Sequence, residues 1–327
     1  MGKILVTGGA GYIGSHTVHL LRKHGHEVIV VDDLSRGHRH NVDPTRFHQI
    51  NLLQTDALTE VLSQGKVDAV IHFAAYIAVG ESTQKPELYF TNNVSGSVSL
   101  LTAMERTGVN RIVFSSTAAV YGTPERSPIT EDLPYSPLSP YGDSKVMVEK
   151  ILDWLDQYRG VRSVCLRYFN ACGAEPGSGL GEEHDPETHL IPLLLRAIDT
   201  GKPVTVFGDD YDTPDGTCIR DYIHVSDLAE AHIRAVEALI KGAPSGKFNV
   251  GTGTGKSVLE VIRAVEDVTG QTVPYTVGSR RAGDPPILVA NSDRLQQTLG
   301  WTPAYTDVRE IVKTAWAFHK ELQARTA

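Results

Sequence analysis

A tyrosine and a lysine four residues apart are the strongest candidates for chemistry in this sequence. Tyr141 and Lys145 lie in the segment SPYGDSK, where Ser139 is a good helix N-cap and Pro140 a good first helical residue. Residues at this spacing lie on one face of a helix, so the phenol and the ammonium are expected to be neighbours. The alternative, taking the pair alone, is a chance Tyr-x-x-x-Lys on a surface helix.

A tyrosine base near pH 7 must ionise about three pH units below its reference pKa, which costs about 4 kcal/mol. One ammonium about 4 Å away, at an effective dielectric constant near 20, supplies roughly that free energy. The pair therefore predicts that Tyr141 is a general base and that Lys145 lowers its pKa.

A glycine-rich turn near the N-terminus is typical of a dinucleotide site. The segment TGGAGYIG has glycines at positions 8, 11 and 14, directly after an apolar run. Gly8 allows a tight turn, Gly11 lets the backbone approach a pyrophosphate, and Gly14 lets the following helix pack against the sheet. The start of that helix offers free N–H groups and a positive dipole end to phosphates. Because the triplet follows a predicted strand and begins a predicted helix, we expect a bound dinucleotide there.

An aspartate at the end of the next predicted strand indicates which dinucleotide binds. Asp32 lies 18 residues after Gly14, where a carboxylate accepts hydrogen bonds from the adenosine ribose and repels a 2′-phosphate. This favours NAD over NADP. Arg36 keeps NADP open as an alternative, since a nearby arginine can accommodate that phosphate.

A third polar group, Ser115-Ser116-Thr117, closes another predicted strand. Ligands of parallel sheets bind at the carboxyl ends of the strands. Three polar groups from separate parts of the sequence are thus expected at one edge of the sheet.

The elements that must position these groups are short apolar runs alternating with helical patterns. The predicted strands are Lys3–Thr7, Glu27–Val31, Phe47–Asn51, Asp68–Phe73, Arg111–Ser115 and Ser163–Tyr168. The predicted helices are Gly11–His24, Asp56–Gln64, Pro86–Thr107 and Pro140–Arg159. This alternation predicts βαβ units, and the near-continuous apolar strands indicate helices on both faces of the sheet. We therefore expect an α/β fold with a Rossmann-type, doubly wound parallel sheet.

The pattern changes after Tyr168. Residues 173–186 read GAEPGSGLGEEHDP, which predicts a loop over 173–189. A loop of this length is usually functional, and we interpret it as a ligand-covering element, with a plain surface excursion as the alternative. The later predicted elements are helices Leu190–Asp199, Ser257–Val268 and Val308–Leu322, and strands Val204–Phe207 and Phe248–Val250. We expect them to form a smaller second α/β domain.

Composition limits the class of protein. The chain has 327 residues, and 41% of them are hydrophobic, which excludes bulk disorder. Its net charge of −8 disfavours nucleic-acid or anionic-membrane partners. The apolar runs are shorter than the roughly 20 residues that a membrane helix needs. The N-terminal segment has no secretory signal pattern, and the three widely spaced cysteines suggest no disulfide framework, so a cytoplasmic setting is expected.

Together these motifs resemble the extended short-chain dehydrogenase/reductase family, and within it the 4-epimerases of UDP-hexoses. The resembling segments are TGGAGYIGSH (7–16), HFAAYIAVGES (72–82), NNVSG (92–96), FSSTAAVYG (114–122), SPYGDSK (139–145), LRYFNACGAEP (166–176), DGTCIRDYIHV (215–225) and RRAGDPP (280–286). They cover nearly the whole chain in order.

The resemblance implies reversible epimerisation of UDP-galactose and UDP-glucose at C4, through a 4-keto sugar and bound NAD, in galactose metabolism or nucleotide-sugar supply. It implies an NAD-binding domain of residues 1–169 with about 222–247. A discontinuous UDP-sugar-binding domain would comprise about 170–221 with 248–327. It also implies a homodimer, paired through helices near 86–107 and 141–159; burial of these helices against the sheet is the alternative.

The resemblance also assigns roles to individual residues. Tyr141 would act on the sugar 4-hydroxyl, Lys145 would bind the nicotinamide ribose, and Thr117 would hydrogen-bond the same hydroxyl. The implied NAD-binding residues are Gly8, Gly11, Tyr12, Ile13, Gly14, Asp32, Asn51, Leu52, Phe73, Ala74, Asn92, Ser115, Tyr141, Lys145 and Tyr168. The implied UDP-sugar residues are Thr117, Tyr141, Asn170, His189, Leu190, Thr205, Val206, Phe207, Arg220, Arg281, Asp284 and Leu288. Among these, the two arginines would hold the pyrophosphate, Asp284 the uridine ribose, and residues 205–207 the uracil.

Some positions depart from the family pattern. Asn51 replaces an aspartate near adenine, Ile77 replaces a lysine near the cofactor, and His189 replaces an asparagine at the diphosphate. Leu288 lies near the position at which the resemblance places a residue that limits sugar size. This suggests a preference for UDP-glucose and UDP-galactose, with partial acceptance of N-acetylated sugars. The alternative is that Leu288 is only a core residue.

Three other functions are weighed against this one. A sugar-nucleotide 4,6-dehydratase needs an acid–base pair after the threonine, where this chain has Ala118-Ala119. A reductase that releases its cofactor is excluded if NAD stays tightly bound. A dinucleotide-sensing regulator has no need of the Tyr–Lys pair. No metal site is expected: the loop with His38 and His40 is interpreted as a solvated turn, since no carboxylate–histidine spacing recurs, and His72 is interpreted as a packed histidine.

Overall fold

The strands predicted in the first half of the chain all form. In this computed structural model, residues 1–281 and 284–326 are described; Ala282 and Gly283 of the RRAGDPP segment, and Ala327, lie outside the described residues. The strands are β1 (Lys3–Thr7), β2 (Glu27–Asp32), β3 (Phe47–Gln49), β4 (Ala69–His72), β5 (Arg111–Thr117), β6 (Arg162–Tyr168), β7 (Asn170–Cys172), β8 (Val204–Phe207), β9 (Ile219–His224), β10 (Gly246–Val250), β11 (Gly255–Ser257), β12 (Tyr275–Gly278) and β13 (Ile287–Leu288).

The helices follow the predicted alternation. They are α1 (Tyr12–Lys23), α2 (Thr55–Gly65), α3 (Val79–Gln84), α4 (Pro86–Tyr89), α5 (Gly96–Thr107), α6 (Pro140–Arg159), α7 (Leu190–Thr200), α8 (Val225–Ile240), α9 (Val258–Thr269), α10 (Asp293–Leu299) and α11 (Val308–Thr326). The predicted helix over Pro86–Thr107 is continuous, with a π-helical turn at Phe90–Ser95 between α4 and α5. Among these helices of the described residues, none has the length and apolar character needed to cross a membrane.

A parallel sheet of seven strands, in the order β10-β6-β5-β4-β1-β2-β3, is the centre of the fold. Alternate residues of each strand point to opposite faces, so Ile4 and Val6 of β1 join one apolar core while Leu5 joins the other. The first core includes residues of α1 and α8, and the second those of α2, α5 and α6. Helices therefore cover both faces, and the expected Rossmann-type α/β fold is confirmed.

Two smaller sheets lie outside the central one. β9 pairs with β7, β11 and β13, and β8 pairs with β12. Residues of α7, α9 and α11 form a separate apolar core with buried residues of these sheets. Residues 173–189 form neither helix nor strand, as predicted for the loop.

Two expected domain boundaries need correction, because each cuts a strand. The division between residues 221 and 222 cuts β9, which pairs with β7, β11 and β13 outside the central sheet, so we propose that all of β9 belongs to the second domain. The division between residues 247 and 248 cuts β10, which pairs along its length with β6 in the central sheet. We therefore propose that the second domain resumes after Val250. β9 and α8 were not predicted as elements, although the sequence of α8, VSDLAEAHIRAVEALI, carries an apolar stripe that ends in the first core.

Candidate active site

The tyrosine and the lysine lie in the first turns of α6. The side chain of Ser139 caps this helix by accepting a hydrogen bond from the N–H of Gly142 at 3.2 Å, as the sequence predicts. Tyr141 and Lys145 are 7% and 3% exposed, so both groups are held inside the protein and not on a surface helix. The Lys145 Nζ donates a hydrogen bond of 2.8 Å to the carbonyl of Ser115 and lies 6.0 Å from the centre of the Tyr141 ring.

Burial has the largest effect on the pKa of both members of this pair. Burial raises the pKa of Tyr141, and a hydrogen bond with Thr117 lowers it. Burial lowers the pKa of Lys145 to about 7, so near neutral pH only part of the lysine population is charged. The lowering of the Tyr141 pKa by Lys145 stays a prediction, which the pH dependence of turnover tests.

A buried glutamate one turn further along α6 supports the charge on the lysine, and the sequence interpretation missed it. Glu149 is fully buried, and its charge acts to raise the pKa of Lys145 against the effect of burial. Its carboxylate accepts two hydrogen bonds from the Arg167 guanidinium, at 3.0 and 2.6 Å, and one from the Ser116 hydroxyl at 2.5 Å. The sequence does contain one signal for Glu149: it follows Lys145 by four residues, so the two side chains lie on the same face of the predicted helix.

The glycine turn has the geometry expected of a dinucleotide cradle. Gly8 has a φ of +73°, and a Cβ there would lie 2.5 Å from the backbone nitrogen of Ala74. A Cβ on Gly14 would lie 2.1 Å from the carbonyl oxygen of Gly8, which would prevent α1 from packing so closely. A Cβ on Gly11 would meet no atom closer than 3.4 Å, so the outer side of the turn is open. Within the part of the chain that the structure describes, no side chain caps the start of α1, which leaves its first N–H groups for a phosphate.

The acidic residue after β2 is oriented by the same turn. The Asp32 carboxylate accepts hydrogen bonds from the N–H of Ala10 at 3.0 Å and of Leu34 at 2.8 Å, and it retains further lone pairs for ribose hydroxyls. Arg36, the residue that kept NADP open, pairs with Glu81 at 3.0 Å. An arginine committed to a carboxylate is a weaker phosphate ligand, which favours NAD.

The other residues assigned to the cofactor follow the carboxyl ends of neighbouring strands. Tyr12 and Ile13 begin α1 after β1, Asn51 and Leu52 follow β3, Phe73 and Ala74 follow β4, Asn92 lies in the π-helical turn, Ser115 lies near the end of β5, and Tyr168 ends β6. The Tyr168 hydroxyl and the Ser115 Oγ share a hydrogen bond of 2.6 Å. The Tyr12 hydroxyl donates to the carbonyl of Gly173 at 2.6 Å, which ties the turn to the loop over 173–189.

His72 is packed in the interior, as the sequence interpretation held. Its ring nitrogens lie 2.7 Å from the Thr7 hydroxyl and 2.9 Å from the Ser97 hydroxyl. Burial, with the charge of Lys145, lowers the pKa of His72 to about 3, so the ring is neutral. A neutral histidine with both nitrogens engaged is part of the core and not a proton carrier.

The residues assigned to the UDP-sugar lie mainly on the second domain. Arg220 of β9 forms an ion pair with Asp284, and Leu288 of β13 lies opposite Arg220 in the strand register. The guanidinium of Arg281 lies 4.0 Å above the Phe207 ring. Asn170 begins β7, and Leu190 begins α7 directly after His189.

Two of these assignments meet a structural restriction. Alternation along β8 directs the side chain of Val206 into the second-domain core, while Thr205 and Phe207 are exposed. On the face of β8 that carries the side chains of Thr205 and Phe207, Val206 can therefore offer a uracil base only its backbone. The Nδ1 of His189 is hydrogen-bonded to Glu182, so the chain already uses one of its two ring nitrogens.

Comparisons with known proteins agree on one family. The model of the NAD dependent epimerase/dehydratase family matches residues 4–251. A UDP-glucose 4-epimerase of Lactobacillus helveticus is 49% identical over 97% of this chain and 97% of that protein. A crystal structure of UDP-glucose 4-epimerase from Brucella ovis in complex with NAD has a TM-score of 0.94 and 45% identity, covering 97% of this chain and 98% of the other. One from Bifidobacterium longum with NAD⁺ and UDP has a TM-score of 0.90 and 38% identity, covering 98% of both chains.

Proposed function

This chain belongs to the NAD dependent epimerase/dehydratase family, and from that premise we propose that it interconverts UDP-galactose and UDP-glucose by inverting C4 of the hexose with bound NAD. One observation carries the proposal: a buried Tyr141–Lys145 pair, with Thr117 beside the tyrosine, lies at the same sheet edge as the glycine turn. Inversion of an unactivated carbon needs an oxidation and a reduction, and this edge brings a base and a dinucleotide site together.

The residues at the turn fit NAD. The open side of Gly11 and the uncapped start of α1 suit the pyrophosphate, and Asp32 suits the hydroxyls of the adenosine ribose. Lys145 and Tyr168, both hydrogen-bonded to Ser115, would hold the nicotinamide ribose. Bound there, NAD would supply the acceptor and the donor for a hydride at C4, and no cofactor would be consumed over the cycle.

Proton movement is assigned to Tyr141. Thr117, which hydrogen-bonds Tyr141, would also hydrogen-bond the 4-hydroxyl and orient it towards the phenolate. The phenolate would take the hydroxyl proton as C4 becomes a ketone. The ketone has no configuration at C4, so the hexose can return by its opposite face. Tyr141 then gives the proton back to the oxygen, and the inverted alcohol forms. Lys145, when charged, favours the phenolate.

Strong anchors on the nucleotide let the hexose turn while the substrate stays bound. Arg220 and Arg281 would hold the pyrophosphate, and Asp284 would accept the uridine ribose hydroxyls. Arg220 and Asp284 form an ion pair with each other in this structure. A bound substrate would replace that ion pair with a contact of Arg220 to the pyrophosphate and a contact of Asp284 to the uridine ribose. Asn170, at the start of β7, would also hold the nucleotide sugar, and His189, directly before α7, would contact the diphosphate.

We also propose a homodimer through α5 and α6. Met147, Trp154 and Tyr158 of α6 are exposed by 38%, 60% and 68%, and their spacing places them on one helix face. Val98 of α5 is 43% exposed. A second copy of the chain would cover this apolar face. Trp154→Glu is expected to yield monomers in analytical ultracentrifugation; an unchanged mass would contradict this interface.

We place the reaction in the cytoplasm, because the three cysteines are free and two of them, Cys165 and Cys172, are buried as thiols.

The direct test is conversion of UDP-galactose by the purified protein without added NAD, followed by NMR. UDP-glucose should form, and the denatured protein should release NAD. Tyr141→Phe is expected to abolish turnover while UDP binding stays nearly unchanged; normal turnover would refute the assignment. A 4-keto-6-deoxy product would favour the dehydratase alternative, and consumption of added cofactor would favour the reductase.

Substrate range is proposed from Leu288. Its side chain packs against an apolar cluster of Val120, Tyr121, Ile129 and Val146, so it is partly a core residue. We expect a preference for UDP-glucose and UDP-galactose over N-acetylated sugars, measured as the ratio of kcat/KM. Equal values for both classes would refute it.

A further inference from the structure

Two glutamates and two histidines come together in the loop before α7. Glu182, His184, Glu187 and His189 each offer one ligand atom, and these four atoms all lie within 4.8 Å of one another. Along the sequence they form a repeated Glu-x-His unit. The expectation of no metal site considered the loop near residue 38 and overlooked this repeat, so its premise was wrong.

The distances between the four atoms suit one metal ion. The His184 Nδ1 lies 3.1 Å from a Glu182 oxygen and 3.8 Å from a Glu187 oxygen. The His189 Nδ1 lies 3.7 Å from the same Glu187 oxygen and is hydrogen-bonded to Glu182. Ligand atoms at about 2.0–2.1 Å from a tetrahedral zinc ion are roughly 3.3 Å apart, which is close to the spacing here.

A second observation points to a cation at this place. The side chain of Glu187 is 1% exposed, and its Oε2 is buried with no hydrogen-bond partner among the described residues. Its Oε1 accepts the N–H groups of Thr188 at 2.7 Å and His189 at 2.9 Å, which hold the carboxylate beside the two rings. A buried carboxylate oxygen without a partner is costly, and a metal ion would satisfy it.

We propose that Glu182, His184, Glu187 and His189 form a structural zinc site. Two carboxylates, two neutral imidazoles and one dication sum to zero charge, which suits the burial of Glu182 and Glu187 at 5% and 1% side-chain exposure. Imidazole nitrogens favour zinc over Mg²⁺ and Ca²⁺, which take oxygen ligands. Four protein ligands fill the tetrahedron, so the ion does not bind substrate.

The site would fasten the loop beside the dinucleotide turn. The His184 ring lies 6.1 Å from the Tyr12 ring, and Tyr12 in turn holds the carbonyl of Gly173. His189 is the N-cap of α7, so a zinc ion would join the end of the loop to that helix. Coordination through Nδ1 would also fix His189 with its proton on Nε2, as a donor for the diphosphate; this last point alone rests on the proposed function.

The test uses the full-length, tag-free protein with its NAD bound. The protein is dialysed against EDTA and then against metal-free buffer, and ZnCl₂ is titrated in competition with a chromophoric chelator, with MgCl₂ as comparison. Bound zinc is counted by mass spectrometry of the dissolved metal. We expect one zinc per chain and no competition by Mg²⁺. Zinc should also raise the melting temperature and slow proteolysis within residues 173–189.

Two ligand variants and one matched control locate the site. His184→Gln and Glu187→Gln should each weaken zinc binding by at least about 100-fold, since even indirect partners of a metal contribute 10–100-fold. His40→Gln removes a nearby exposed histidine of the neighbouring cluster with His38 and Glu183, and it should leave the affinity unchanged. Thermal melts without zinc verify that each variant is folded.

Three results would overturn the proposal. Less than stoichiometric zinc at micromolar concentration would show that the cluster is only a network of ion pairs. Loss of zinc in His40→Gln but not in His184→Gln would place the ion elsewhere. If His184→Gln lowered the melting temperature by the same amount with zinc as without it, zinc would not contribute to the stability of the loop.

Discussion

Replacing Lys145 by methionine tests the electrostatic role of the lysine directly. Its Nζ lies 6.0 Å from the centre of the Tyr141 ring. A unit charge at that distance, with an effective dielectric constant near 20, stabilises the phenolate by about 3 kcal/mol, or about two pKa units. The rate needs the phenolate and therefore rises with pH through its pKa. Because removing a positive charge raises that pKa, the rising part of the profile should move about two units towards higher pH.

The assay is the pH dependence of kcat for UDP-galactose conversion, with bound NAD counted in each preparation. Lys150→Met is the matched control, because Lys150 is an exposed lysine on the same helix, and its profile should stay unchanged. A Lys145→Met profile with lower amplitude but the same midpoint would refute the electrostatic role and leave only a positioning role.

Three further predictions concern the cofactor turn, the buried ion pair and acid stability. Gly11→Ala should preserve the fold and reduce the NAD released on denaturation at least about tenfold, since the added Cβ projects into the open pyrophosphate side. Gly80→Ala is the control, because a Cβ there meets no atom within 4 Å, and equal NAD content in the two variants would contradict the prediction. Glu149→Gln leaves the Arg167 charge buried without its partner and should cost about 3–5 kcal/mol in urea unfolding; a loss under about 1 kcal/mol would be inconsistent with the pair. Burial lowers the pKa of His232 to about 4, so the stability that the neutral ring contributes is complete above pH 6.5 and is lost as pH falls through about 4. His232→Gln should therefore flatten the slope of unfolding free energy against pH in this range. An unchanged slope would show that His232 is not a source of the acid sensitivity.

The local patterns of the first half predicted most of the fold. β1 and α6 have the predicted bounds, and the other strands of that half differ from prediction by one or two residues at one or both ends. These elements were readable because each strand is buried on both faces and is therefore apolar along its length. The second domain was less readable: β9 was missed because its charged residues, Arg220 and Asp221, interrupt the apolar run.

The parts of the candidate site that depend on local spacing were also predictable. Tyr141 and Lys145 share a helix face because they are one turn apart, and the glycine turn needs its glycines for contacts within a few residues. The partnership of Glu149 with Arg167 joins two elements, and no local pattern indicates it.

By itself, the sequence determined the doubly wound sheet, the dinucleotide turn, and the placement of base and ammonium on one face, because each follows from spacings of a few residues. Only the tertiary structure decided how charged these groups are. Burial moves the pKa of Lys145 to about 7, and Arg220 lies against Asp284, far along the chain. The physical reason is that desolvation and charge pairing depend on every atom packed around a group, whichever part of the chain supplies it.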